Sequence, residues 1–377
     1  MPSPGAPRWA ARPVSGRLPD FPWDALVPMG DRARAHPDGI VDLSVGTPVD
    51  PTPAVVRQAL ADASDSPGYP LTIGTPALRA SIVGWLERRA GAVGLEPRQV
   101  LPSVGSKELI AGLATHLGLG PGDLVVAPRL AYPTYTVGAA LAGARVVAAD
   151  ALTSLGPESP TLVWINSPSN PTGQVLPVEH LRKVVAWCRE RGALLVSDEC
   201  YLESGWDAEP VSVLHPDVCD GDVTGILTVH SLSKRSNLAG YRCAFVAGDP
   251  TVVAELTAVR KNLGLMLPGP MQVAMAAALD DDAHVAEQRE RYAARRTALR
   301  DALLGAGFTV DHSQGALYLW ATRDEPCWDT VAWLADRGIL VAPGDFYGTA
   351  GTRHVRVAIT ATDERVGAAV ARLGRPA

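Results

Sequence analysis

Lysine is almost missing from this chain. Its 377 residues carry 34 basic side chains, yet only four are lysines: Lys107, Lys183, Lys234 and Lys261. A composition so biased towards arginine keeps lysine mainly where a guanidinium cannot replace an ammonium. Lys183 and Lys261 fall in amphipathic helical patterns and read as solvated faces, which leaves Lys107 and Lys234. Long apolar runs are also lacking, and none approaches the ~20 residues that cross a bilayer. There is no excess of positive charge. A net charge of −6 removes the electrostatic case for nucleic acid or an anionic membrane as partner. The five cysteines (Cys188, Cys200, Cys219, Cys243 and Cys327) are scattered and form no CxxC pair. They predict reduced thiols in a cytoplasm, with neither disulfides nor a zinc site. The first 17 residues are rich in Pro, Arg and Ser but have no apolar h-region. We expect a disordered tail over 1–18, not a targeting peptide.

What is present is an ordinary globular composition, 47% hydrophobic and 20% charged, in a chain long enough for two lobes with sizeable cores. After a loop-rich entry over 19–40, apolar strand patterns alternate with helical ones. Strands are predicted at 40–45, 99–103, 123–127, 145–149, 161–166, 193–197, 226–229 and 243–248. Helices are predicted at 53–63, 76–89, 108–117, 178–191 and 252–261. That alternation predicts an α/β fold with a mostly parallel, doubly wound sheet. The Gly/Pro-rich stretch 264–270 reads as a seam. Beyond it lie helical patterns at 271–279 and 286–304, then strands and helices of a smaller α/β lobe. The expected division is a segment 19–45 contributing to the small lobe, a large lobe over 46–268 and the small lobe over 269–377.

The chemistry gathers where strands end. The strand at 226–229 runs into Ser231-Leu-Ser-Lys234 and on to Gly240-Tyr-Arg242. Ser231 and Ser233 offer hydroxyls to a phosphate, and Arg242 offers a planar fork to the same group. Lys234, held between them, is a candidate Schiff-base amine, because desolvation and nearby positive charge lower a lysine pKa. A phosphate cradle around one lysine is what pyridoxal phosphate needs. The strand at 193–197 ends in Asp198-Glu-Cys-Tyr201, where Asp198 could pair with the ring nitrogen of that cofactor or simply cap a helix. Asn170 in Asn-Pro-Thr-Gly is either a turn residue or a ligand contact at a strand end. Ser106, in Gly105-Ser-Lys107-Glu, is either an N-cap or part of an anion site at a helix start. Tyr132 follows a strand end and could lie flat on a heterocycle. Gly46 lets backbone approach a ligand or turns the chain. Tyr69 reads as packing. Arg356, flanked by strand apolars, needs either a structural ion pair or a substrate carboxylate.

Taken in this order and spacing, Asn170-Pro-Thr-Gly, Asp198-x-x-Tyr201, Ser231-x-Ser-Lys234 and Gly240-x-Arg242 resemble fold-type I pyridoxal-phosphate aminotransferases of class I/II, over about residues 21–373. The resemblance implies Lys234 as the covalent cofactor amine and proton shuttle. Asp198 would pair with the pyridine nitrogen, Asn170 and Tyr201 with the 3′-oxygen, and Tyr132 would stack on the ring. Ser106, Lys107 through its backbone, Ser231, Ser233 and Arg242 would bind phosphate. Arg356 would take the substrate α-carboxylate, with Gly46 and Asn170 alongside. Tyr69 would reach the phosphate of a neighbouring subunit in a homodimer with shared active sites. Three further segments, around Asp42–Pro51, Ser231–Gly240 and Val341–Gly348, look like N-succinyldiaminopimelate aminotransferases. That likeness implies glutamate as donor in diaminopimelate and lysine biosynthesis, by ping-pong transamination. Other amino-acid aminotransferases, β-lyases and decarboxylases share the fold. So do effector domains of transcription regulators, which carry an added DNA-binding segment. Arg129 and Arg235 are candidate partners for a distal carboxylate.

Overall fold

The computed structural model describes residues 14–374, so the tail expected over 1–18 lies mostly outside the described residues. Seven strands form the main sheet, in the order Val100–Val104, Cys243–Gly248, Ile226–Ser231, Leu194–Asp198, Leu162–Asn166, Leu124–Ala127, Arg145–Ala148. Six run the same way. Cys243–Gly248 alone is reversed, pairing antiparallel with both of its neighbours. The predicted mostly parallel, doubly wound α/β sheet is therefore the one observed.

Both faces of this sheet are buried. Val163, Leu195 and Phe245 join the apolar layer on one face with Trp85, Leu86 and Leu181. Their sequence neighbours Trp164, Val196 and Val246 join the layer on the other with Leu109, Leu113 and Tyr135. A sheet covered twice needs apolar residues at successive positions, which is why these strands read as unbroken hydrophobic runs.

A second core surrounds a four-stranded antiparallel sheet, Ala342–Pro343, Val355–Ala358, Tyr318–Thr322 and Thr309–Asp311. The N-terminal segment joins it. Val41–Asp42 pairs in parallel with Ile339–Leu340, and Leu26, Ala33 and Leu43 are buried in the same cluster as Leu319, Leu334 and Val357. The helix Gly269–Asp280 follows the Gly/Pro-rich seam, yet it packs on Ala54–Asp62 and Pro76–Ala90. Its Ala274, Met275, Ala278 and Leu279 belong to the core of the large lobe.

Two helices longer than a single turn escape the sequence pattern. The entry expected as loop contains Val27–Arg34, which is poor in apolar residues and is held by packing on Cys327–Ala335. Thr134–Ala142, where no element was predicted, ends at the left-handed Gly143. It lies against the helix Ser106–His116 so closely that a Cβ on Gly138 would meet the Ile110 carbonyl at 2.8 Å.

Candidate active site

The ends of the strands meet at one rim. Asn166 pairs with Asp198, Asp198 with Val229, Ser231 with Ala244, and Val104 with Cys243. Parallel strands deliver Asn170, Asp198, Ser231 and Ser106 at their carboxyl ends. The reversed strand begins where the others finish, so it brings Arg242, just before its first residue, to the same rim. A ligand site outside the carboxyl ends of the strands is the expected place in an open α/β sheet.

Here lies a cavity of about 480 Å³. Of the fifteen residues singled out in the sequence, twelve line it: Gly46, Ser106, Lys107, Tyr132, Asn170, Asp198, Tyr201, Ser231, Ser233, Lys234, Arg242 and Arg356. Tyr69 lies elsewhere and is 97% exposed. Neither Arg129 nor Arg235 is among the lining residues. Arg129 is exposed, and Arg235 is committed to an ion pair with Glu203 and to the Ala278 carbonyl at 2.8 Å.

Lys234 stands on a single turn of helix after the strand Ile226–Ser231, and its amine donates to the Gly46 carbonyl. Burial lowers its pKa, and the positive charges of Arg356 and Arg242 push the same way. Asp198 is 5% exposed. It accepts from the Tyr135 hydroxyl at 2.7 Å and from the Cys200 amide at 3.2 Å. Burial raises its pKa, against the effect of those donors. Among the described residues no cationic side chain pairs with it, so a buried carboxylate faces the cavity ready for a ligand cation.

Beside Arg242, the helix Ser106–His116 opens with its free amide groups at the positive pole of its dipole. Gly105 precedes it with φ +86°, and a Cβ there would fall 1.9 Å from the Arg242 guanidinium. Only glycine serves both demands. Ser231 is occupied in part as a cap, accepting from the Ser233 amide at 3.2 Å.

Arg356 lies opposite, on the strand Val355–Ala358 of the small lobe, and is 3% exposed. It donates to Asn170 Oδ1 at 2.9 Å and to the Ser44 carbonyl at 2.6 Å. Its guanidinium lies 4.0 Å from the centroid of the Tyr318 ring and 4.9 Å from that of Tyr347. Nε has no hydrogen-bond partner, and no carboxylate pairs with Arg356 among the described residues. Of the two explanations open for this arginine, the structural ion pair fails.

Sequence reasoning missed several lining residues. Phe21 and Trp23 come from the entry segment and enter the cavity wall, with Trp23 anchored on Phe346 at 5.4 Å between centroids. The Phe-Pro-Trp cluster was the only signal for them. Tyr318, from the small lobe, had none. Tyr135, which holds Asp198, sat in the helix that was not predicted.

Comparison with known proteins gives the class. The family described as Aminotransferase class I and II matches residues 38–373, and the chain belongs to it. Aminotransferases of this class work with pyridoxal phosphate. A Mycobacterium tuberculosis protein named Probable aminotransferase Rv1178 is 68% identical over 360 residues, covering 96% of this chain and 86% of that one. The 4-dedimethylamino-4-oxo-anhydrotetracycline transaminase OxyQ of Streptomyces rimosus is 61% identical over 356 residues, covering 94% and 99%. Among solved structures, the N-succinyldiaminopimelate aminotransferase of Mycobacterium tuberculosis superposes with a TM-score of 0.87 at 26% identity, covering 96% and 99%.

Proposed function

We propose that this chain moves an amino group between glutamate and a 2-oxo acid with pyridoxal phosphate bound at the strand-end rim. The acceptor we assign is N-succinyl-2-amino-6-oxopimelate. One observation carries the reading: a desolvated lysine amine lies between a buried, cation-less carboxylate and an arginine buried without a carboxylate partner among the described residues. That donor set fits the cofactor and an amino acid together. When bound, the cofactor supplies a carbonyl that the substrate amine can attack and a ring that draws electrons from Cα.

The residues divide the remaining work. Asp198 holds the ring nitrogen protonated, and Asn170 and Tyr201 contact the 3′-oxygen. Tyr132 covers one face of the ring. The amides of Ser106 and Lys107, the hydroxyls of Ser231 and Ser233, and Arg242 hold the phosphate. Arg356 grips the substrate α-carboxylate beside Gly46 and Asn170. Lys234 would hold the cofactor covalently and, as a free amine, would carry the proton of the substrate Cα. Burial lowers its pKa and so favours the free amine that this role needs. Lys107 is the one basic side chain of the wall that this division leaves unassigned; its amine lies 5.5 Å from the centroid of the Phe21 ring.

The chain works, in this reading, as a cytoplasmic homodimer. Tyr69, Leu71, Leu263 and Val273 are large exposed apolar side chains, and Leu71 and Val273 are neighbours through the Gln272 side chain, which donates to the Leu71 carbonyl. Among the described residues no helix is long and apolar enough to cross a membrane.

A second acceptor class has its own support. OxyQ, 61% identical, is named for an oxo-anhydrotetracycline, and Phe21, Trp23, Tyr132 and Tyr318 give the cavity an aromatic wall. The test is a half-reaction panel. Enzyme bleached with glutamate is mixed with the succinylated oxo acid, with oxaloacetate, with pyruvate and with a polycyclic ketone. The succinylated acceptor should restore the cofactor colour fastest. Equal rates for oxaloacetate or pyruvate would remove the succinyl assignment, and a faster ketone would replace it.

A further inference from the structure

Tyr318 is a buried hydroxyl at the centre of the site with no role in the reading above. It comes from the small-lobe strand Tyr318–Thr322 and is 4% exposed. Its hydroxyl lies 2.8 Å from that of Tyr201, which belongs to the large lobe. Its ring carries the Arg356 guanidinium. The backbone of Gly46, whose carbonyl accepts from Lys234, passes so near that a Cβ there would lie 2.4 Å from the Tyr318 hydroxyl oxygen. Gly46 therefore makes room for this tyrosine.

Two hydroxyls in contact share one proton between them, and the other must point outward. The ring 3′-oxygen of pyridoxal phosphate, when anionic, can only accept, so Tyr201 must donate to it. That leaves Tyr201 as acceptor from Tyr318. Resting on the cofactor placement proposed above, we infer that Tyr318 is a positioning residue. It donates its proton to Tyr201, and so aims and strengthens the hydrogen bond that Tyr201 gives the cofactor. Chains of hydroxyls polarise one another in this way.

The surroundings make the two hydroxyls unequal. Burial pushes the Tyr318 hydroxyl up, but Arg356 and Lys234 more than reverse it and hold the group below the usual tyrosine range. Burial carries Tyr201 well above that range, and Tyr318 beside it adds to the rise.

The experiment is a pH titration of the absorbance of the cofactor-loaded, substrate-free enzyme. A donor to the 3′-oxygen stabilises its negative charge and weakens its hold on the titrating proton, so losing donation raises the midpoint. Tyr318→Phe keeps the ring under Arg356 and should raise the midpoint by about 0.3 to 1 pH unit. Tyr201→Phe should raise it further, and adding Tyr318→Phe to Tyr201→Phe should change nothing more. Fluorotyrosine at position 318, a better donor, should move the midpoint down, which also covers the case of a Phe variant that folds poorly. Glutamate KM should stay within about twofold in Tyr318→Phe, a pattern distinct from loss of Arg356. An unmoved midpoint in Tyr318→Phe, or an equal shift with and without Tyr201, overturns the inference alone. An unmoved midpoint in Tyr201→Phe overturns it together with the placement of Tyr201 on the cofactor.

Discussion

The cavity has two walls made in different ways. The rim of the large lobe carries Asp198, Ser231, Lys234 and Arg242 within or beside the ends of strands that lie next to one another in the sheet. Each motif is local, and the sheet order alone assembles them. The facing wall is made by the small lobe and the entry segment. Arg356 and Tyr318 sit on antiparallel neighbours, where Arg356 pairs with Trp320 and Tyr318 with Ala358. Phe21 and Trp23 arrive from some three hundred residues away in sequence. In the reading proposed above, the rim carries the chemistry that every substrate shares. The facing wall joins Arg356, proposed for the α-carboxylate, to the aromatic side chains of Phe21, Trp23 and Tyr318, which are free to differ with the rest of the substrate. A fold can keep the first while altering the second.

Removing Lys234 is the sharpest way to break the rim. Lys234→Ala takes away the amine proposed above as both covalent anchor and proton carrier, so kcat should fall by about 10⁴-fold or more. The purified variant should also lose the absorbance of lysine-bound cofactor, whatever amino acceptor is offered. Undiminished turnover would end the assignment of this amine.

The facing wall should fail differently. Arg356→Lys keeps the charge but loses the fork that reaches Asn170 and Ser44. Losing the bidentate contact to a buried carboxylate costs about 2–5 kcal/mol, so glutamate KM should rise roughly 30- to 4,000-fold. The reaction committed from bound substrate should slow far less. Steady-state kinetics with glutamate and with the acceptor separate the two effects. A fall confined to kcat would move Arg356 from substrate binding to the chemistry.

This contrast also explains what was legible in the sequence. Asp198, Lys234 and Arg242 stand beside apolar runs that can only be buried strands, so their place at a sheet edge follows from local pattern. Arg356 was legible for a related reason, since an arginine amid strand apolars demands an anion. Tyr318 was not. Nothing around it differs from a core tyrosine, and its meaning comes from Tyr201 117 residues away in sequence. Phe21 and Trp23 were visible as an aromatic cluster, but the helix that follows them, Val27–Arg34, is only eight residues long and low in hydrophobicity. Helices carried by tertiary packing are the ones that sequence patterns miss. The large-lobe membership of Gly269–Asp280 was hidden likewise, because a Gly/Pro-rich stretch marks a turn and does not say which core the next helix joins.

The smallest effect lies one layer below the rim, in residues adjoining the site motifs. Glu199 follows Asp198 and His230 precedes Ser231; both are buried, with His230 Nε2 3.6 Å from Glu199 Oε2. His230 packs between Trp85 and Phe245. Burial pushes Glu199 up from 4.5 to about 7 and His230 down from 6.5 to about 3, so both are neutral in the folded protein near pH 6. For His230, the unfolded chain takes up a proton below pH 6.5 and the folded protein does not until about pH 3, so stability falls with acidification across that window. For Glu199, the folded protein keeps its proton to about pH 7 while the unfolded chain loses it above 4.5, so stability falls as pH rises from 4.5 to 7. The two slopes oppose each other between pH 4.5 and 6.5 and largely cancel. His230→Phe, which suits a site between two aromatic rings, should remove one slope and expose the other. The difference in unfolding free energy between variant and wild type should then change with pH across 3 to 6.5, by up to about 1.4 kcal/mol per unit. The variant should lose relative stability as pH rises through that window. Urea unfolding of the cofactor-free forms at several pH values measures it, and parallel curves would mean that the layer under the rim does not titrate as a neutral pair.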